Sequence, residues 1–239
     1  MKKIVTLLGM LLILTSAVSS QDLTFDDILM NYYKAGCFDK LQKVRTIIMT
    51  GTRIQNDVMP LKIIRLRPDK FLQEFDVVDM TSYLGYDGTT PWWTVPWTGN
   101  PKPQIMPEDR ARDLRVRADF DGVLFNWKVK GFIVEPAGND TVDKALAYKF
   151  KVSFKDGSIE YYSIDVKSFM LVKRQFTRLV NGKEVKLDVY YRDYKDVEGI
   201  PFAFTLDNYF GGQPYAVLQF DSIFLNRPVD EKVFKMPSH

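Results

Sequence analysis

Asp119 and Asp121 flank Phe120. Two carboxylates that close are the arrangement in this chain best suited to acid and base work on a glycosidic bond, or to holding a hard metal ion. The same two acids, just ahead of Gly122, also read as solvated side chains of a loop, and that is the expectation. The other ingredients of catalysis are missing. The one histidine, His239, is the last residue, and chain ends are usually mobile, so neither a Ser-His-Asp nor a Cys-His arrangement is expected. The sequence holds no G-x-S-x-G elbow, H-E-x-x-H pair, Walker loop or G-x-G-x-x-G turn. No catalytic residue, metal ligand or cofactor is assigned, and the chain is not expected to be an enzyme.

Binding is the chemistry that the sequence does offer. Residues 86–98 read YDGTTPWWTVPWT and hold Trp92, Trp93 and Trp97, three of the four tryptophans. In a strand, alternation puts Trp93, Val95 and Trp97 on one side and Trp92, Thr94 and Pro96 on the other. One set is expected to line the mouth of a cavity while the other packs outside it or beneath a lid, and the pattern does not say which. With Phe71 and Phe75 from a neighbouring apolar segment, Trp92, Trp93, Val95 and Trp97 form the candidate ligand-binding set. Pro91 lacks the N–H that a central strand needs, so the strand from residue 91 is expected at an edge or a bulge.

Charge and cysteine content narrow the partners. The net charge is +3, and it falls to about +1 once Lys2 and Lys3 are removed with the leader described next. So neutral a chain is not expected to bind nucleic acid or to be drawn strongly to anionic membranes. Residues 1–20, MKKIVTLLGMLLILTSAVSS, place two lysines before a short apolar run and then small residues, as in a secretory signal peptide. No cysteine lies near that junction to receive a lipid, so residues 21–239 are expected outside the cytoplasm as one soluble domain without a membrane span. Cys37 is the only cysteine. An intramolecular disulfide is therefore impossible, stability must come from apolar burial, and Cys37 itself reads as a small buried hydrophobe.

The elements that must position these residues are mostly strands. Thr24 and Asp27 mark a helix start, Phe25, Ile28, Leu29 and Tyr32 recur at helical spacing, and Gly36 can close the helix. From Thr46 the period becomes two, through TIIMTGTRI, LKIIRLR, KFLQEFDVV and TSYLGY to the tryptophan segment. A second helix is predicted from Pro107, in PEDRARDLRVRAD, with acids first and arginines later as the macrodipole favours. So short and charged a helix is expected to lie over a surface rather than inside one. Strands resume with AYKFKVSF, IEYYSIDV, FMLVKRQFTRLV, EVKLDVYYRDY, FAFTLDNYF and YAVLQFDSIFL. Turns at Asp156-Gly157, Asn181-Gly182 and Gly211-Gly212 make neighbours antiparallel.

This gives a mainly β (α+β) domain: one antiparallel sheet of about ten or eleven strands, with an N-terminal helix and an inserted helix acting as lid or plug. A sheet that large must curl into a half-open barrel. The alternation of Tyr148, Phe150, Val152 and Phe154 with lysines gives one strand a dry face and a wet face. Ile63 and Ile64 point oppositely, so parts of the sheet are apolar on both sides and something must cover the second. An aromatic content of 14% suits the lining of a cavity and a filled core equally.

Short motifs carry a resemblance to a known family. Arg67-Pro68-Asp69-Lys70-Phe71, then Tyr86-Asp87-Gly88-Thr89-Thr90-Pro91-Trp92-Trp93 and Pro96-Trp97, and the ending from Val229 through Asp230, Phe234 and Pro237 together resemble the LolA-like outer-membrane lipoprotein-sorting proteins. A divergent, Bacteroidetes-type member is the nearest description. Asp69 stands where the family has asparagine, and Thr89-Thr90 where it has Lys-Thr. The resemblance implies an unclosed barrel with a helical lid over a hydrophobic cavity in a periplasmic protein. It also implies a lipoprotein or another lipidic ligand as partner, handed on between membrane donor and acceptor proteins. Arg67 matches the arginine that binds the family's lid, although it also reads as a solvated strand arginine beside Arg65. An alternative that the resemblance carries is a sensor module like RseB, which binds a membrane regulator.

Overall fold

The computed structural model describes residues 23–77, 79–180 and 182–238. The leader expected over residues 1–20, Asn181 of the expected Asn-Gly turn, and His239 lie outside the described residues.

The chain opens with helix α1 (Phe25–Ala35) and the short α2 (Phe38–Leu41). The Thr24 side chain accepts from the Asp27 backbone while Asp27 accepts from that of Thr24, so both ends of the capping box form. A meander follows: β1 (Thr46–Ile54), β2 (Val58–Leu66), β3 (Lys70–Val77), β4 (Met80–Tyr86), β5 (Pro91–Val95) and β6 (Asn100–Ile105). Helix α3 (Glu108–Ala118) and the short α4 (Trp127–Lys130) interrupt it. The second meander is β7 (Ile133–Val142), β8 (Ala145–Ser153), β9 (Ile159–Asp165), β10 (Leu171–Val180), β11 (Lys183–Val197), β12 (Ile200–Phe210) and β13 (Gln213–Leu225).

All these strands join one antiparallel sheet in the order β6-β5-β4-β3-β2-β1-β13-β12-β11-β10-β9-β8-β7. The last strand pairs with the first, as in Ile48 opposite Phe224, so the two meanders meet in the middle and run outward to free edges at β6 and β7. The sheet curls without closing, and residues 106–132 carry the chain from one edge to the other.

Thirteen strands among the described residues exceed the ten or eleven expected, and the two extra are the edges. β6 carries Pro101 and Pro103, and β7 carries Pro136 with a register irregularity between Pro136 and Asn139. Proline hides a strand from period-two reading, yet an edge position tolerates it because one row of N–H groups has no partner there. The expectation for β5 is met in one half: it is not an edge, since β6 pairs outside it, but its register with β6 slips between Trp93 and Val95. Pro91 occupies its first position, where its missing N–H costs least.

Both faces of the sheet carry apolar clusters. On the concave face, Ile63, Phe71 and Phe75 pack with Ala111, Leu114 and Ala118 of α3, and Ile28 of α1 packs with Phe150, Val152 and Ile164. On the convex face, Ile64, Leu66, Leu72 and Trp92 are covered by Phe234 from the C-terminal segment. Ile63 and Ile64 do part to opposite faces, and the last residues of the chain supply the second cover. Asp230 caps the turn that presents Phe234, while Glu231 reaches Lys70 at 2.6 Å.

Helix α3 departs from its expected place. It does not lie over a surface: Ala111, Leu114 and Ala118 are buried completely against β3, β4 and β5, and its other side faces β10. The narrow apolar stripe at i, i+3 and i+7 suffices to seat it, and its charges find partners on the strands opposite. It fills the concave side as a plug.

The convex packing leaves no room at Gly85. A Cβ there would meet the Trp92 indole at 2.1 Å, and the indole is held by its N–H donating to the Phe234 carbonyl at 2.8 Å. Gly85→Ala is expected to lower stability by about 2 kcal/mol or more, read as a fall in the urea midpoint with an unchanged slope.

Candidate functional site

The concave face and α3 enclose an open cavity of about 1110 Å3. Its position follows from local chemistry in the tryptophan segment. The Asp87 carboxylate accepts from the Thr89 and Thr90 N–H groups at 2.9 and 2.8 Å, Gly88 takes a positive φ of 95°, and the turn delivers Pro91 to β5. From there alternation divides the rings. Trp93 faces the cavity, while Trp92, only 2% exposed, faces the convex side. Trp92 is therefore removed from the ligand-facing set. It serves the packing under Phe234 because its position in β5 turns the ring away from the concave wall.

Phe71, Phe75, Trp93, Val95 and Trp97 all line the cavity. Trp97 does so from a 3-10 turn (Pro96–Thr98) rather than from the strand, and 48% of it is exposed at the rim. Its ring lies 6.5 Å from that of Phe75. The Arg53 guanidinium sits 5.3 Å from the Phe75 ring and 5.8 Å from the Tyr215 ring. Phe176, Val189, Phe202 and Leu206 form the opposite wall. The Trp93 indole N–H is buried without an acceptor among the described residues.

Arg67 lies where the helical segments meet the sheet. Its Nε donates to the Val44 carbonyl at 3.0 Å and Nη2 to the Leu41 carbonyl, at the end of α2, at 2.9 Å. Its two Nη groups grip the Asp121 carboxylate at 2.6 and 2.9 Å, and the guanidinium lies 4.4 Å from the centre of the Phe120 ring. A planar fork with five donors is what lets one side chain tie α2 and the segment after α3 to β2.

The two candidate carboxylates are thereby accounted for. Asp121 is held by Arg67, and Asp119 by the Lys130 ammonium at 2.7 Å. Both are mostly buried within ion pairs, which corrects the expectation of solvated loop acids. The partners come from the residue just after β2 and from α4, 54 and 11 residues away, and only the fold brings them alongside. Each carboxylate is engaged by its own cation. Among the described residues no group of three or more His, Cys, Asp or Glu side chains could hold a metal ion. Cys37 is free and partly buried, in a left-handed conformation between α1 and α2.

A buried ionic cluster escaped the sequence reading. Asp113 of α3 lies 2.9 Å from Arg174, 3.4 Å from Arg117 and 3.5 Å from Arg178. Glu160, with no exposure, accepts from Arg174 at 2.7 and 2.9 Å, from Arg112 at 3.0 Å and from the Tyr162 hydroxyl at 2.7 Å. The signal was present: Arg174 and Arg178 stand in register with Phe176, and Glu160 with Tyr162, on the inward alternation of two adjacent strands.

No protein-family model matches the sequence, and no curated protein matches it. Among solved structures, a LolA superfamily protein from Nitrosomonas europaea superposes with a TM-score of 0.57 at 15% identity, covering 89% of this chain and 98% of its own. A putative outer membrane lipoprotein-sorting protein domain from Vibrio parahaemolyticus gives 0.58 at 11% identity, covering 86% of this chain and 95% of its own. The chain has the LolA-type fold. A DUF1329 family protein from Desulfovibrio piger shares it, with a TM-score of 0.57 at 10% identity over 87% of this chain and 97% of its own. Identities this low establish the LolA-type architecture, the mainly β, unclosed sheet expected from the sequence, and no more than that.

Within this LolA-type sheet, Asp113 holds α3 in place. Burial alone would raise its carboxyl, but Arg174, Arg117 and Arg178 outweigh that and keep it below the usual carboxylate range. A depressed folded-state pKa adds stability that is present above the unfolded value of about 3.9 and lost as pH falls through the folded one. Asp113→Asn is expected to cost about 3 kcal/mol at neutral pH, measured by urea unfolding, with the gap to wild type closing below about pH 3.9. Arg67→Leu is expected to speed amide exchange in residues 37–45 and 119–126 while leaving β10 to β12 unchanged.

Proposed function

We propose that this protein is a non-enzymatic carrier or binding protein, which shields the acyl chains of a lipoprotein or another lipidic ligand in the concave cavity. The observation that carries the reading is the cavity itself, about 1110 Å3 between a largely aromatic wall of Phe71, Phe75, Trp93, Val95 and Trp97 and an apolar wall of Phe176, Val189, Phe202 and Leu206 opposite. That is at the upper end of small-molecule pockets, which run to roughly 1,000 Å3. Burying methylenes yields about 0.8 kcal/mol each, so a sixteen-carbon chain offers on the order of 12 kcal/mol before the costs of ordering it.

The fold supports the same reading. One solved relative in shape is described as an outer membrane lipoprotein-sorting protein domain. No helix among the described residues is long and apolar enough to cross a membrane. A periplasmic location follows from this reading together with the leader expected over residues 1–20, with residues 21–239 acting as one carrier domain. Arg67 then serves as the lid contact, because it holds the α2 end and the segment after α3 over the cavity. Delivery to and from membrane proteins is the corresponding role for donor and acceptor partners.

Purified protein is expected to retain lipid in native mass spectrometry or to bind a fluorescent acyl probe. Trp93→Ala should weaken that binding about tenfold, whereas Trp92→Phe, on the convex face, should leave it within about twofold. A cavity variant and a convex variant that behave alike would sink the assignment of this wall.

A further inference from the structure

The cavity wall is not uniformly apolar. Where α3 faces β10, it is lined by Arg117, Arg174, Arg178 and Asp113, together with Arg65 of β2 and Tyr191 of β11. We infer that this arginine-rich pole receives the anionic head group, a carboxylate or a phosphate, of an amphiphile whose chain lies along the aromatic wall. The inference rests on the carrier reading and names the class of cargo.

Charge balance carries the argument. Asp113 is shared among Arg174, Arg117 and Arg178, at 2.9, 3.4 and 3.5 Å. Glu160 is already engaged by Arg174, Arg112 and the Tyr162 hydroxyl. Two carboxylates thus stand against four guanidiniums, and Asp156, the remaining acid near Arg112, is half exposed at 3.6 Å. Arg65 forms no ion pair among the described residues, and its one hydrogen bond goes to the Asp119 carbonyl at 2.7 Å. The nearby Asp119 and Asp121 are taken by Lys130 and Arg67.

Uncompensated buried charge is expensive, so a natural site that keeps it has a use for it. The Nε groups of Arg65 and Arg178 are buried with no acceptor, and that of Arg117 meets only the Asp113 carboxylate, at 3.4 Å and without a hydrogen bond; burial pulls all three guanidiniums down from their ordinary pKa. Arg117 keeps 29% of its side chain accessible, held on one side by donating to the Gln73 side-chain Oε1 at 2.9 Å. Tyr191 lies close enough to Arg174 and Arg65 to feel both charges, and burial keeps its hydroxyl protonated as a donor. Guanidinium forks with a neutral hydroxyl are the donors that suit a carboxylate or a phosphate. A fatty alcohol or a neutral glyceride would leave them unmet.

Arg53 offers a contrast. It too lacks a carboxylate partner, but it stacks on Phe75 and Tyr215 and donates to Gln55. Along β1 it stands six residues from Ile47, which pairs with Arg65, a distance of about 20 Å. It is assigned to the rim and not to the head-group site.

The test displaces a neutral apolar dye, N-phenyl-1-naphthylamine, from the purified protein with hexadecanol, palmitate and hexadecyl phosphate. Palmitate, hexadecyl phosphate or both are expected to bind roughly tenfold or more tightly than hexadecanol, and whichever is preferred identifies the head group. Arg65→Gln combined with Arg117→Gln should shrink that preference to within about twofold while hexadecanol and the dye bind as before. Arg117→Lys and Arg53→Gln should keep it. The wild-type comparison needs no variant to fold. Equal binding of all three amphiphiles overturns the inference and leaves the carrier reading standing. So does a preference that survives the double variant, or one that disappears in Arg53→Gln instead. Absence of binding by the dye and every amphiphile overturns the carrier reading, and this inference with it.

Discussion

A thirteen-stranded sheet that curls without closing presents a concave face larger than its own side chains can fill. How that face is covered governs the rest of the molecule. The two edges, β6 and β7, do not meet, and the chain itself crosses between them through residues 106–132. Helix α3 is thereby placed inside the curl. It seats three small or aliphatic side chains on β3 to β5 and sends its charged side toward β10. What it fails to fill is the cavity.

The charges on α3 would be costly there without partners. Asp113 and Glu160 draw Arg174, Arg112, Arg117 and Arg178 into one cluster that links the helix to the far flank of the sheet. Arg67 and Arg65 do the same for the segment just after the helix, one through Asp121 and the other through the Asp119 carbonyl, with Phe120 close to both guanidiniums. Helix and sheet are therefore joined at both ends of α3 by ionic contacts, and along its middle by a thin apolar stripe. Such a joint positions a plug without filling the space around it, which is what distinguishes a cavity from a core.

Much of this was open to reading from the chain, and the parts that were not share a cause. The capping box of α1, the turn at Asp156-Gly157 and the split of Trp92 from Trp93 depend on neighbours within a few residues, so they were legible. The edge strands were missed because Pro101, Pro103 and Pro136 suppress the strand signal, and only the pairing order makes them edges. Phe71, Phe75, Trp93, Val95 and Trp97, expected together from their types and spacing, all line the one cavity, while Trp92 lies on the convex face because of its register. Asp119 and Asp121 look like loop acids until Lys130 and Arg67 are brought beside them.

By itself, then, the sequence determined the period of the strands, the caps and turns between them, and hence a mainly β chain that must curl. Those properties rest on local backbone preference and alternation, which act over a handful of residues. Only the tertiary structure decided that α3 lies inside the curl, that Phe234 closes the convex face over Trp92, and that one carboxylate is left to serve three arginines. They rest on contacts such as Arg174 to Asp113 and Trp92 to Phe234, which join positions 61 and 142 residues apart. Burial, which turns a surface charge into a demand for a partner, exists only after the chain has folded.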